Sequence, residues 1–367
     1  MVEILQRWWI IGGVNAAKIL INLGVFFSLQ FSVQAWNAEG HMIVAQIAYN
    51  HLNPVAKARC DALIAVSLTN SAASTSNFVT AACWADDNKT ALGTGIWHYI
   101  DLPFSLDGTS TSGVSTASFD VVRAINLCIT NLQSPTAIQS NQAASLRYLI
   151  HFAGDIQQPL HCSTAVSAAH TGGDSGGNSF TLDSPWFNLH SLWDGGGGCL
   201  FDSVSRPLSV SSQNTLNAKV ALIEADYPYN YTTNLGTIPN PLTWAQEGFN
   251  LAKTNCYVGI TNSTTPTTSY TNTAQATTEQ RMAQGGHRLA DLLNALFPPI
   301  TIASLARTNG NFSFSFNTVS NTTYKVQWKQ QLSDATWNDL TNITATTNFI
   351  SFKEKFSPTQ RLYRVSQ

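Results

Sequence analysis

Apolar residues recur at helical spacing along most of the chain and switch to strict alternation near its end. In "HMIVAQIAYNHL" (41–52), Ile43 and Ile47 stand one turn apart beside Val44 and Ala48, the stripe of an amphipathic helix. "NPVAKARCDALI" (53–64) offers Asn53 as a cap and Pro54 at the first helical position, where a missing N–H leaves nothing unpaired. "QAASLRYLIHFAGD" (142–155) places Leu146, Leu149, Ile150 and Ala153 on one stripe. "TTEQRMAQGGHRLADLLNALF" (277–297) predicts a further amphipathic helix, stopped at Pro298. Gly- and Ser-rich loops lie between, notably at 170–178 and 194–199. After Pro299, "NFSFSFNTV", "TYKVQWKQQL", "FISFKEKF" and "RLYRVSQ" alternate apolar with polar residues, the period of half-buried strands.

The pattern predicts a mainly α chain: a helical domain over 36–300, then a small all-β, sandwich-like module over 303–367. No internal repeat is visible, and the longest low-complexity run is the Thr/Ser/Asn stretch at 262–276. The first 35 residues read as a signal peptide. Arg7 and Lys18 precede the apolar run at 19–31, and "SVQA" ends in the Val-x-Ala that precedes signal-peptidase cleavage. Asn22 and Gln30 interrupt that run, which is short of the about 20 apolar residues a membrane span needs. Cleavage after Ala35 implies an exported protein, periplasmic or secreted, beginning at Trp36.

Composition narrows the function classes. Apolar residues make up 44% of the 367, enough for a substantial core, while charged residues make up only 11%. The net charge of −2 provides no global basic surface to neutralise duplex phosphates, which argues against a sequence-reading DNA binder. Six cysteines without a CxxC argue against zinc-ribbon and thioredoxin chemistry; in an exported chain they allow up to three disulfides, with the pairing open.

Histidine and aspartate carry the chemistry. "HFAGD" sets His151 and Asp155 at i, i+4 on one helix face, "PLH" adds His161, and "NLHSLWD" repeats the device with His190 and Asp194. A lone pair of this kind is usually a surface ion pair. Two in one apolar neighbourhood point to a metal, because zinc takes neutral imidazole and carboxylate ligands and one helical turn can offer both. "CWADDNK" contributes Asp86 and Asp87, and "WHYID" contributes His98, Tyr99 and Asp101. Taken singly these are ambiguous: Asp86 suits a helix cap, and His98 a half-buried structural histidine.

The set "WNAEGH" (36–41), "WADD", "WHYID", "HFAGDIQQPLH", "GGN" (176–178) and "NLHSLWD" resembles the zinc nuclease family of the S-one/P-one type over residues 36–298, with the later "TWAQE" and "HRLADLLN" included. The resemblance implies a helical zinc nuclease/phospholipase C-like domain that hydrolyses single-stranded DNA or RNA to 5′-phosphorylated products and releases phosphate from 3′-nucleotides. It implies three zinc ions. One would take Asp86, His98, His151 and Asp155; a second Trp36 and His41, with Asp155 bridging; the third His161, His190 and Asp194. Trp36 would ligate through a free α-amine, which titrates near about 8 and deprotonates readily beside a metal, so leader cleavage and metal binding support each other. Three divalent ions against three carboxylates would leave the site net positive in a chain of net charge −2.

The resemblance also assigns roles. Asp86 would orient or deprotonate the nucleophile, and Lys89 would neutralise charge in the transition state. Tyr99 would stack a base, Asp101 would bond the base edge, and Asn178 matches the "GGN" asparagine. The loop from His161 to Asn178 is long for the family, and no further base contact is carried across it. His51, His170 and His287 match no ligand position and read as surface or structural. No stable protein partner is implied, and the chain reads as a monomer. Two other readings compete: a zinc-dependent phospholipase C, disfavoured by Trp-x4-His, "WHYID" and "GGN", and a non-enzymatic surface or carbohydrate-binding protein led by the β-rich module.

Overall fold

Helix α1 (Ala38–Asn50) runs through the middle of the helical part: every residue from Glu39 to Ala48 is buried, and all but Glu39, His41 and Gln46 are apolar or small. In this computed structural model the described residues are 36–366, apart from 135, 201–203, 230–239, 320–321 and 358. The expected signal peptide lies outside them. Among the described residues no helix is long and apolar enough to cross a membrane.

Helix α2 (Pro54–Ile64) starts as the sequence predicts. The Asn53 side chain accepts the N–H groups of Val55 (2.9 Å) and Ala56 (3.0 Å), two of the donors a helix start leaves unpaired. Short helices α3 (Phe78–Ala81) and α4 (Trp84–Leu92) follow, with Gly93 in the left-handed conformation (φ 66°) ending α4. Helices α5 (Val121–Gln133) and α6 (Gln139–Asp155) pack on each other. Helix α7 (Leu189–Asp194), α8 (Val210–Asp226), α9 (Pro241–Leu251) and the 29-residue α10 (Thr268–Leu296) complete the helical part. Helix α1 packs against α10 and α8 and touches α3 and α6, so one of its faces joins the main core and the other a second cluster with Leu216, Val220 and Met282. Helix α10 begins at Thr268, inside the stretch read as low-complexity, because Thr267 caps it through the Tyr270 N–H.

A two-stranded parallel sheet matters more than its size suggests. Strand β1 (Pro103–Ser105) pairs with β2 (Thr164–Val166) in the register Pro103↔Thr164, which pins the segment after His98 beside the segment after His161.

Beyond Pro299 the chain forms two three-stranded antiparallel sheets. Strands β3 (Ile302–Thr308), β4 (Asn311–Asn317) and β7 (Phe349–Lys355) make one; β6 (Asn338–Thr344), β5 (Thr323–Lys329) and β8 (Leu362–Ser366) make the other. Phe314, Phe316, Tyr324, Val326 and Phe352 from both sheets share one small core. The alternation foretold β4, β5, β7 and β8. Strands β3 and β6 lack it: β3 is largely exposed and β6 is rich in Asn and Thr. All six cysteines are free thiols, five of them buried, so the structure forms none of the disulfides that export would allow.

Candidate active site

Six local elements deliver the site residues. The last turn of α6 carries His151 and Asp155, and the first turn of α4 carries Asp86 with Lys89 one turn later. Two short 3-10 turns, Gly95–His98 and Pro159–Cys162, present His98 and His161. Helix α7 exposes His190 and Asp194 to the same space; its start is fixed by a capping box in which Asn188 accepts the Ser191 N–H at 2.8 Å. His41 enters from the first turn of α1.

These groups converge, the histidines and Asp155 buried and Asp86, Lys89 and Asp194 half-buried. Asp155 Oδ2 lies 2.9 Å from His98 Nδ1 and 3.1 Å from His151 Nε2, and Asp155 Oδ1 lies 3.5 Å from His41 Nε2. Asp86 Oδ1 stands 3.6 Å from His98 Nδ1 and 3.7 Å from His151 Nε2, with Lys89 Nζ on it at 3.0 Å. Beside them His161 Nε2 faces His190 Nε2 at 3.2 Å, and His190 Nε2 is 3.4 Å from Asp194 Oδ2. Within this site the groups close enough to share an ion are His98–His151–Asp155, His41–Asp86–His151 and His161–His190–Asp194.

The hydrogen bonds fix which nitrogens face inward. A carbonyl only accepts, so His151 Nδ1 donates to Ala82 O (2.5 Å), His161 Nδ1 to His98 O (2.8 Å) and His190 Nδ1 to Gly176 O (2.7 Å). The Nε2 lone pairs of neutral rings therefore point into the site, and His161 and His190 point theirs at each other. Such an arrangement is repulsive unless a cation lies between them. Both ring nitrogens of His41 and both carboxylate oxygens of Asp155 are buried without a hydrogen bond. Buried polar atoms left this way are costly, and bound metal ions would satisfy them together.

Two glycines make room. A Cβ on Gly154 would fall 2.9 Å from His41 Nδ1, and one on Gly176, at φ +63°, would fall 2.5 Å from Leu160 O. Trp36 is fully buried, and its indole N–H donates to Gly154 O at 3.1 Å, so the predicted first residue of the mature chain sits next to Asp155.

Without metal, the electrostatics divide the site's groups. Burial, reinforced by His151, holds His41 well below 6.5. Burial and then His190 bring His161 down to about 3. His151 goes the other way: burial pulls it down, but Asp155 and Asp86 outweigh that and lift it to about 9. Burial would raise Asp155, yet His151 and His98 hold it well below the carboxylate range. Enclosure pushes Asp194 well above that range although Gln158 donates to it at 2.7 Å.

The substrate residues read from sequence fall along one edge. Tyr99 and Asp101 are half-buried on the strip between His98 and β1, and the Ile100 N–H between them donates to His161 O at 2.8 Å. Burial, then Asp174, lifts Asp101 to about 6. Asn178 is partly exposed, two residues beyond Gly176, and donates to Ser175 O at 2.8 Å. Asp87, adjacent to Asp86, turns away to Arg206 at 2.7 Å and is structural.

The sequence reading missed the supports. Gln158 is fully buried between Asp194 and the Leu160 N–H. Asp174 accepts the Ala165 N–H (2.9 Å) and the Tyr257 hydroxyl (2.7 Å), fixing the loop before "GGN". Glu247 of "TWAQE" bridges Arg281 (2.8 Å) and Arg288 (2.7 Å), which in turn hold Gln157. The doubled glutamine in "DIQQPLH" was the available signal for Gln157 and Gln158, lying as it does between Asp155 and His161.

Known proteins share this frame. The family model described as S1/P1 Nuclease matches residues 36–298. The chain belongs to the S1/P1 nuclease family. It is 27% identical to Endonuclease 2 of Arabidopsis thaliana, over 78% of this chain and 98% of the relative. It is also 27% identical to Nuclease P1 of Penicillium citrinum (71% of this chain, 97% of the relative) and 26% identical to Nuclease S1 of Aspergillus oryzae (71% and 91%). Among solved structures, Alpha Toxin from Clostridium absonum aligns over 89% of this chain at 11% identity with a TM-score of 0.39, too low for any conclusion to rest on it. Like its relatives, this S1/P1 family member is a hydrolase of nucleic-acid ester bonds. Its family match ends at residue 298, just before β3.

Proposed function

We propose that this nuclease cleaves single-stranded DNA and RNA to 5′-phosphorylated products, and removes phosphate from 3′-nucleotides, with three zinc ions held by Trp36, His41, Asp86, His98, His151, Asp155, His161, His190 and Asp194. The observation that carries the reading is the pair of inward-facing imidazole nitrogens of His161 and His190, 3.2 Å apart, with Asp194 beside them. When bound, zinc supplies Lewis-acid polarisation of the phosphate and brings the pKa of bound water to about 7.

The protein's own groups do the rest. Asp86 orients or deprotonates the attacking water, and Lys89, anchored on Asp86 at 3.0 Å, neutralises charge in the transition state. Tyr99 stacks an unpaired base, a contact a duplex denies because its base faces are covered. Asp101 bonds the base edge, and its elevated titration near 6 lets it donate in acid and accept at neutral pH. Asn178 closes the pocket from the loop carrying Gly176. Residues 36–300 form the nuclease domain of an exported monomer, and 303–367 a β-sandwich-like accessory module.

The test is N-terminal sequencing, zinc content and cleavage by the mature protein in one preparation. Expected are a chain starting at Trp36, three zincs, rapid cleavage of single-stranded oligonucleotides and little of duplexes. Retained leader residues, or a zinc count below three, would break the proposed cluster. Cleavage of phosphatidylcholine with single-stranded DNA left intact would overturn the substrate assignment.

A further inference from the structure

The two histidines read as structural, His51 and His287, meet at one carboxylate. His51 follows the last residue of α1, Glu224 lies in the last turn of α8, and His287 sits within α10. His51 Nε2 is 2.5 Å from Glu224 Oε1, and His287 Nε2 is 3.5 Å from the same oxygen. One ligand atom from each lies within 4.8 Å of the others, the same spacing as in each ligand group of the main site. The three share no residue with that site.

Their surroundings favour a cation. Helices α1 and α8 both end here, so two sets of terminal carbonyls, the negative ends of their dipoles, lie close by. Asp291 stands one turn beyond His287, which makes "HRLAD" another His-x-x-x-Asp unit like those of α6 and α7. Arg288, the adjacent cation, is engaged elsewhere, with Glu247 at 2.7 Å and Gln157 at 3.0 Å. Tyr229 fixes both rings: it stacks on His51 (centroids 4.8 Å) and meets His287 edge-on (4.9 Å), while its hydroxyl donates to Asp291. His287 is fully buried, whereas the His51 and Glu224 side chains are 32% and 22% exposed, so an ion can enter from the groove lined by Tyr49, Asn50, Gln213, Asn217 and Glu224. Burial, then His51, lowers His287, so its ring is neutral at pH 7, the form that ligates.

We infer that His51, Glu224 and His287 form a separate site for a first-row divalent ion such as zinc, with two imidazole nitrogens and one carboxylate oxygen as protein ligands and water completing the shell. The ion ties the ends of α1 and α8 to the middle of α10. Its role is structural.

The experiment uses mature full-length protein stripped with a chelator, reloaded with zinc and desalted. Zinc per chain is counted for wild type, His51→Gln and Glu224→Gln. His51→Gln keeps a hydrogen-bond donor for Glu224 but removes the imidazole. Each variant is expected to hold one zinc fewer than wild type while cleaving single-stranded DNA at the wild-type rate. A misassigned main site would change the count in all three proteins alike and leave the difference intact. Equal counts in all three, or an extra equivalent taken up by wild type only at millimolar zinc (an adventitious ion only), overturns the inference. Anomalous scattering at the zinc edge gives a second readout that needs no variant: a peak bridging His51, Glu224 and His287 is expected, and its absence in zinc-loaded crystals counts against the site.

Discussion

His151 and His161 are both fully buried, yet their proton affinities move in opposite directions because one faces carboxylates and the other faces a second imidazole. The consequence for metal-free protein follows from linkage. His41 and His161 fold as neutral rings below their unfolded value of 6.5, so the unfolded chain binds more protons in acid. Their contribution is intact above 6.5 and is lost as pH falls below it, by up to about 1.4 kcal/mol per pH unit for each group. His151, raised to about 9, contributes fully below 6.5 and loses that contribution as pH rises toward 9. In acid the raised carboxyls of Asp194 and Asp101 oppose that loss, whereas above neutrality nothing among the described residues offsets the loss from His151. Urea unfolding of chelator-treated protein should therefore show the midpoint dropping from pH 7 to pH 9. A midpoint unchanged or rising over that interval would contradict the lifting of His151 by Asp155 and Asp86.

At the scale of elements, two substitutions separate stability from function. Asn53 caps α2 and also donates to Asn294 Oδ1 (2.9 Å) and Phe297 O (3.2 Å), joining the start of α2 to the end of α10. Asn53→Ala is expected to cost about 1–2 kcal/mol, read as a lower thermal midpoint, with kcat unchanged because no site residue lies on α2. Gly154→Ala does the reverse. Alanine favours helix by about 1 kcal/mol over glycine, but its Cβ would fall 2.9 Å from His41 Nδ1. Overpacking against buried His41 offsets that gain, so the stripped variant should be no more stable than wild type in urea, while it holds metal more weakly and cleaves more slowly. Normal metal retention would mean that His41 can move aside without loss.

The whole molecule divides its charge unevenly. Residues 303–367 carry seven Lys or Arg against three Asp or Glu, while residues 36–302 carry ten against seventeen. Several of those cations lie on aromatic rings: Arg364 and Lys329 on Trp337 (4.5 and 4.8 Å), and Arg361 on Trp328 (4.1 Å). Ending the chain at residue 300 should leave kcat on a dinucleotide unchanged. It should raise KM for long single strands at low salt, an effect that fades at high salt because it arises from phosphate neutralisation. A KM insensitive to the deletion at every salt concentration would assign the module no part in substrate binding.

Much of this protein was legible from local pattern. Periodicity located α1, α2, α6 and four strands, and an i, i+4 repeat of His and Asp pointed to groups that could hold a metal in pairs, because one helical turn decides which neighbours share a face. What spacing cannot reach is convergence between distant segments. Asp86 and Asp87 are adjacent and chemically alike; only packing sends one to His98 and His151 and the other to Arg206. His51 and His287 looked like isolated residues until α1, α8 and α10 brought them to one glutamate. Gln158 and Asp174 owe their positions to the enclosure around them, and strands β3 and β6 to the partners they pair with. By itself, then, the sequence determined which residue types could ligate metal and in what local groups. Tertiary structure decided which of them stand close enough to share a cation and which nitrogens point inward, because burial and long-range hydrogen bonds exist only once the helices are packed.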